Sequence, residues 1–265
     1  MCLILIAAGA HPDYPLIVAA NRDESYSRPA APAAFWKDEP DVFGGRDLER
    51  GGTWLGVARS GRFAAITNYR QGRSADAGRS RGELTREYLT GNAAPADYLA
   101  RVGQRAALYN GFSLIVGYPG ELWFYSNRGA APQRIAPGVH GLSNHLLDEP
   151  WPKVRRGIAE LSALLRAGED ELVTSLLQLL ADRAPAPDAL LPTTGVALER
   201  ERALSASFIE GATYGTRAST VLLVRADARV LFRERSFGPE GAQLGEIEQR
   251  FEIALSCSSS APARA

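Results

Sequence analysis

The sequence contains little of what several functional classes require. Its 265 residues include only two cysteines, three histidines and two lysines, and 30 acidic residues balance 30 basic ones. This zero net charge argues against binding nucleic acid through bulk electrostatics. Cys2 and Cys257 are too few to form a disulfide framework, and no CxxC or HExxH spacing is present. We therefore expect neither a metal site nor a nucleic-acid partner.

The sequence also lacks a long hydrophobic run. A membrane-spanning helix needs about 20 apolar residues, whereas the N-terminal run covers only residues 2–8 and follows no basic segment. We interpret this run as a buried strand rather than a signal peptide, and expect a cytoplasmic protein without a transmembrane segment. Residues 1–255 are predicted to form a single domain, and the Ser/Ala-rich residues 256–265 a disordered tail.

The most informative feature that is present is Cys2, directly after Met1, the only methionine. Residues as small as cysteine at position two permit removal of the initiator methionine. Removal would place a free α-amino group and a thiol on one residue. The amine titrates at about 7.7–8.0, so it can accept the thiol proton at working pH. The sequence thus predicts an N-terminal cysteine nucleophile, against the alternative of an inert, buried cysteine.

A predicted hairpin brings a charged cluster to this cysteine. Apolar residues 2–8 and 16–20 flank a turn-like segment, 9–15, so Asn21–Glu24 would return to the level of Cys2. Arg22 would lower the pKa of the thiol, and Asp23 would hold or orient the amine. Since neighbouring strand residues point to opposite faces, only one of the two is expected to face the thiol.

Three further polar residues are candidates for the site. Asn68 and Asn144 end short apolar segments. Their amides would either stabilise an oxyanion or simply form turns. Arg217 lies in a polar run before an apolar strand, where it would contact a carboxylate or form a structural salt bridge.

The order of elements is strands, then helices, then strands. This order favours a layered α+β fold with antiparallel sheets over an alternating βαβ fold, with two small α+β domains as the alternative. Residues 28–40 and 184–192, rich in proline and alanine, are predicted loops. Strands are predicted at 2–8, 16–20, 53–58, 62–68, 112–118, 122–126, 220–224, 230–236 and 249–255, and helices at 83–89, 95–108, 152–165 and 170–180.

Several motifs, taken in order, resemble the NRDE family, also called the transport and Golgi organisation protein 2 family. The family is similar to N-terminal nucleophile hydrolases, which implies a four-layer αββα sandwich with two antiparallel sheets. The motifs are Met1–Cys2, Asn21–Glu24, Gly52–Gly56, Thr67–Arg70, Tyr109–Phe112, Gly141–Asn144 and Tyr214–Arg217.

The resemblance implies roles for individual residues. By analogy with cholylglycine hydrolases and penicillin V acylases, Cys2 would attack an amide carbonyl and its amine would transfer the proton. Asn68 or Asn144 would then bind the oxyanion. Trp54, Arg70 and Arg217 are candidate substrate contacts.

Two functions from different classes follow from the resemblance. The first is a cysteine-dependent hydrolase of a non-peptide C–N amide bond. The alternative is a non-enzymatic protein that binds or transports haem or acyl-CoA, with haem as a ligand rather than a resident cofactor. In both cases the expected partner is a small molecule. A third interpretation is a structural module in which Cys2 is inert.

Overall fold

The fold consists of two antiparallel sheets packed face to face between two layers of helices. A computed structural model describes residues 2–71 and 78–254; Cys257 and the predicted tail lie outside these residues. The strands are β1 (Leu3–Ala8), β2 (Leu16–Ser25), β3 (Ala30–Phe35), β4 (Val42–Asp47), β5 (Leu55–Ala58), β6 (Phe63–Asn68), β7 (Phe112–Tyr118), β8 (Glu121–Ser126), β9 (Gln133–Arg134), β10 (Gly138–Leu142), β11 (Tyr214–Val224), β12 (Arg229–Phe237) and β13 (Gln243–Glu252). The α-helices are α1 (Gly82–Thr90), α2 (Pro95–Gln104), α3 (Pro152–Leu164), α4 (Glu169–Leu180) and α5 (Leu198–Ser205).

The strands divide into two sheets, which we call sheet A and sheet B. Sheet A has the order β10-β1-β2-β11-β12-β13, and sheet B runs β3-β4-β5-β6-β7-β8-β9. Within residues 2–71 and 78–254, neighbouring strands of both sheets pair antiparallel. The predicted α+β class with antiparallel sheets is therefore confirmed.

Side-chain alternation along the strands builds the layers. In β1, Ile4 and Ile6 pack between the two sheets, whereas Leu3 and Leu5 pack against α3 and α4. The outer face of sheet B packs in the same way against α1 and α2. Because β1 is covered on both faces, its sequence is a continuous apolar run. The αββα sandwich implied by the resemblance is confirmed.

One prediction about an irregular segment is wrong. The predicted loop 28–40 contains β3, which tolerates Pro32 because it is the edge strand and its register shifts between Ala31 and Ala34. The buried Glu234 carboxylate of sheet A also accepts the Ala33 backbone N–H of β3 at 2.8 Å.

The sequence reading also missed α5. This helix lacks an apolar stripe, and a buried ion pair through Glu201 attaches it to the fold. The last strand is predicted at 249–255. In the structure it is β13 (Gln243–Glu252), which begins six residues earlier. None of the helices within residues 2–71 and 78–254 is long and apolar enough to cross a membrane.

Candidate active site

The register of sheet A places Cys2 beside the charged cluster. Leu3 pairs with Asn21 on β2, so Cys2, one residue earlier in an antiparallel ladder, lies at the level of Arg22. On the other side, the Ser143 hydroxyl donates a hydrogen bond to the Cys2 carbonyl at 3.0 Å. The meeting of thiol and cluster that the hairpin predicted is confirmed.

Arg22 and Asp23 leave β2 on opposite faces. Because alternate residues of a strand point to the same face, Arg22 points the same way as Val18 and Ala20, which pack between the sheets. Asp23 points the same way as Ala19, which faces the helices. Cys2 points the same way as Ile4, which packs between the sheets. Cys2 and Arg22 are therefore on the same face. The alternation agrees with the expectation that one residue shares the thiol's face, yet both line the cavity that contains Cys2.

Arg22 is a buried cation without a close carboxylate. Its side chain is 6% exposed, and the nearest carboxylate oxygen, Glu24 Oε2, lies 4.0 Å from Nη2. The guanidinium stacks on the Trp54 ring at 4.3 Å, a favourable cation–π contact. Its Nη1 has no hydrogen-bond partner among the described residues, and burial lowers the pKa of Arg22. The guanidinium thus has hydrogen-bonding capacity left for a ligand.

Thr216 orients Asp23. Its hydroxyl donates to Asp23 Oδ1 at 2.7 Å and accepts the Ile209 N–H at 2.9 Å. The contact depends on a bulge in β11, where Thr216 pairs with Asp23 and Ala218 with Arg22, leaving Arg217 as the extra residue. The sequence predicts Arg217 from this run as a site residue but not Thr216, because a bulge is not visible in the sequence.

The end of β6 and the loop after β10 bring Asn68 and Asn144 together. The Asn144 side-chain N–H donates to the Asn68 carbonyl at 2.8 Å, and the Arg70 N–H donates to the Asn144 carbonyl at 2.6 Å. Asn144 is buried and has a φ of 55°, a left-handed conformation that asparagine tolerates well. Asn68 lines the Cys2 cavity, whereas Asn144 is not among its lining residues.

The Cys2 cavity has a volume of about 320 Å³ and a mainly charged lining. Of the predicted site residues it includes Cys2, Arg22, Asp23, Trp54 and Asn68. It also contains residues that the sequence reading did not select: Glu24, Arg28, Asp47, Glu49, Arg50, Arg79, Arg81 and Asn110.

Two predicted substrate contacts have structural partners within the protein. Arg70 forms a buried ion pair with Glu201 and stacks on Trp151 at 4.4 Å, and it is not among the residues that line the Cys2 cavity. Arg217 donates to the carbonyls of Ser25 and Arg28 at 2.9 and 2.8 Å. Its guanidinium therefore ties the end of β2 to the next turn.

Lys153 is a second buried cation behind the site. Its ammonium donates to the carbonyls of Leu204 and Ala206 at 3.0 and 3.3 Å. Burial lowers the pKa of Lys153 to about 8, against the opposing effects of the Asp23 and Cys2 charges. A signal was available in the sequence: Lys153, Gly157 and Leu161 recur every four residues and share the buried face of α3.

Burial dominates the electrostatics of the thiol. Desolvation raises the pKa of Cys2, as does the Asp23 charge, while a hydrogen bond with the Asp23 backbone and the Arg22 charge lower it. The expected effect of Arg22 has the right sign, but the net shift is upward. The raised pKa favours the neutral thiol, so a nucleophilic role requires a base nearby.

We expect the alkylation rate of Cys2 by iodoacetamide to rise with pH around a midpoint above about 8.5, the value of an ordinary thiol. The reason is that burial favours the neutral thiol while only the thiolate reacts. Intact mass measured between pH 6 and 10 gives the rate. Arg22→Gln is expected to raise the midpoint further. A wild-type midpoint below that of a free thiol would contradict this prediction.

Gly45 leaves room for the Trp54 indole. A Cβ at Gly45 would approach Trp54 Cη2 to 2.1 Å. We expect Gly45→Ala to displace the indole from Arg22 and to lower the free energy of unfolding by about 1–3 kcal/mol, measured in urea. Gly103→Ala is the control, because its Cβ would make only an ordinary contact at 3.6 Å. If Trp54→Phe in the Gly45→Ala background recovered no stability, overpacking would not be the cause.

The two antiparallel sheets between helices, with a cysteine at the start of β1, define the N-terminal nucleophile hydrolase fold. A solved structure supports this class: the Caenorhabditis elegans N-acylethanolamine-hydrolyzing acid amidase ortholog aligns with a TM-score of 0.51. The alignment covers 84% of this chain and 92% of that one at 14% sequence identity, which is evidence for the fold alone.

Within this class, the chain belongs to the Transport and Golgi organisation 2 family, whose model matches residues 1–239. It is 42% identical over 256 residues to the transport and Golgi organization protein 2 homolog of Bos taurus. It is 39% identical over the same length to the Homo sapiens homolog. Each alignment covers 89% of this chain and 93% of the relative. The family identified from the motifs is confirmed.

Proposed function

We propose that this protein is a cysteine-dependent hydrolase of a non-peptide amide bond, with Cys2 as its N-terminal nucleophile. One observation carries the proposal: Cys2 stands at the start of β1 in a cavity that Arg22, Asp23 and Asn68 also line. A thiol, a cation, a carboxylate and an amide are the groups that nucleophilic acyl transfer uses. The family membership and the fold support this interpretation.

The reaction requires a proton acceptor at the thiol. Burial raises the thiol pKa, and removal of Met1 would supply an α-amine on the same residue. The amine takes the proton from sulfur, the thiolate adds to the amide carbonyl, and the carbonyl oxygen becomes an oxyanion. The amine then returns the proton to the leaving nitrogen as the C–N bond breaks. Water finally hydrolyses the thioester to a carboxylic acid and regenerates the thiol.

The other groups take supporting roles in this proposal. The side-chain amide of Asn68 donates to the oxyanion, while Asn144, whose amide donates to the Asn68 carbonyl, holds Asn68 in place. Asp23, fixed by Thr216, holds the protonated amine. Arg22 stabilises negative charge on the thiolate and on the oxyanion.

Intact-mass spectrometry of freshly purified protein, before and after brief iodoacetamide treatment, tests the first steps. We expect the mass of a chain lacking Met1 and one carbamidomethyl group that maps to Cys2. The variant Cys2→Ala controls for labelling at Cys257. Retention of Met1 on the native protein would exclude the proposed base and with it this mechanism.

The same variant tests the binding alternative. A protein that binds haem or acyl-CoA without catalysis would give a Soret shift or a higher Tm with ligand in both wild type and Cys2→Ala, since a ligand stabilises the folded state by mass action. Such a result, together with no hydrolysis of any amide by the wild type, would replace the hydrolase proposal.

A further inference from the structure

A second cavity adjoins the Cys2 cavity. It has a volume of about 300 Å³ and lies between β3 of sheet B and strands β11–β13 of sheet A. Arg22 and Trp54, which stack on each other, line both cavities. The stacked pair is therefore the partition between the two spaces. We call the second space the apolar cavity.

Apolar groups form most of the free surface in this cavity. Ala31, Phe237, Leu244 and Ile247 contribute to its lining. Leu244 is 71% exposed, so most of its apolar surface is left for a ligand to cover.

Glu234 and Arg217, two of the charged residues that border the apolar cavity, already have protein partners. The Glu234 carboxylate accepts the Ala33 N–H at 2.8 Å and the Thr220 hydroxyl at 3.0 Å. Arg217 donates to two backbone carbonyls. A ligand group in this cavity would consequently meet mainly apolar surface.

The Cys2 cavity has the opposite character. Arg22 has an Nη1 without a partner among the described residues and no carboxylate closer than 4.0 Å. Arg81, in the same lining, donates to the Gly111 carbonyl at 3.2 Å. Guanidinium groups of this kind favour a carboxylate or another anion.

We propose that the substrate is an amphipathic amide, a proposal that rests on the hydrolase function inferred above. Its apolar group occupies the apolar cavity, its amide passes the Arg22–Trp54 partition beside Cys2, and its anionic group lies in the Cys2 cavity. A volume of about 300 Å³ is at the lower end for small-molecule sites. The apolar group is thus a short alkyl chain or a single ring.

Binding of two reversed amide series to the Cys2→Ala variant tests this proposal without requiring turnover. One series is the N-acylglycines from acetyl to octanoyl, with the chain on the acyl side. The other is the N-alkylsuccinamic acids of equal length, with the chain on the amine side. In one series we expect calorimetric affinity to rise about four-fold per added methylene until the cavity is filled. That series identifies which side of the amide is apolar. Affinity independent of chain length in both would overturn the proposal.

A matched pair of variants localises the effect. Ala31→Phe fills the apolar cavity from edge strand β3, whereas Ala34→Phe adds the same ring at an exposed position of that strand outside the lining. We expect Ala31→Phe to abolish the dependence on chain length and Ala34→Phe to preserve it. If both variants or neither changed that dependence, the chain would not bind in the apolar cavity.

Hydrolysis of the same compounds by the wild type separates the two proposals. Binding that depends on chain length and on Ala31, without hydrolysis of any amide, would support the amphipathic ligand and overturn the hydrolase. Hydrolysis that depends on Cys2 but not on chain length or on Ala31→Phe would support the hydrolase and overturn the apolar cavity as its subsite.

Discussion

Replacing Cys2 with alanine is expected to abolish amide hydrolysis, lowering kcat by a factor on the order of 10⁴–10⁶, as loss of a nucleophile does elsewhere. The thiol is the only group in the proposed mechanism that forms a bond to the substrate carbon. Cys2→Ser is also expected to lose turnover, because a hydroxyl holds its proton more tightly than a thiol. Release of amine from an N-acyl amide, measured under substrate saturation, gives the rates.

Two controls make this result interpretable. Cys257→Ser removes the other thiol of the chain and is expected to keep full activity. The Tm of Cys2→Ala should remain close to that of the wild type, since the substitution removes a single sulfur atom. Activity of the alanine variant within ten-fold of the wild type would mean that the thiol is not the nucleophile.

Glu201→Ala is expected to lower the free energy of unfolding by about 3–5 kcal/mol, because it leaves the Arg70 guanidinium buried without a counter-ion. Both side chains of the pair are nearly inaccessible. Burial already lowers the pKa of Arg70 to about 10 despite the neighbouring carboxylate. Urea denaturation near pH 7 measures the change, and α5, which carries Glu201, should lose amide-exchange protection first.

A double variant distinguishes the effect of the uncompensated charge from the effect of lost packing. Arg70→Met combined with Glu201→Leu removes both charges together, so most of the lost stability should return. Asp188→Ala removes the partner of Arg202 in an exposed ion pair and is expected to change stability little. Equal losses in Glu201→Ala and in the double variant would show that packing, not the uncompensated charge, is responsible.

Much of the candidate site could be predicted because its central contact is local in sequence. Two apolar runs joined by a short turn can pair in essentially one way. That hairpin alone brought Arg22 and Asp23 to Cys2, with Leu3 opposite Asn21 as the register requires. The amphipathic spacing of α3 and α4 likewise specified which faces are buried. Short-range periodicity determines such features, so no knowledge of distant contacts was needed.

Other features depended on contacts between distant segments. The bulge in β11, opposite β2, places the Thr216 hydroxyl where it donates a hydrogen bond to Asp23. The same bulge leaves Arg217 donating to backbone carbonyls. Arg70 forms an ion pair with Glu201, which is 131 residues away in the sequence. The partner of an arginine cannot be inferred from its neighbours in the sequence, so neither of these contacts was predictable.

The sequence by itself determined the family, the layered fold and the position of Cys2 beside its charged neighbours, since motif order and hydrophobic periodicity are properties of the chain. Only the tertiary structure decided the direction in which the pKa of that thiol shifts and the shape of the cavities around it. Burial outweighs Arg22 in the thiol pKa, and the Arg22–Trp54 stack divides the space into a charged and an apolar cavity. Desolvation and enclosure depend on how distant segments pack together, which no local pattern specifies.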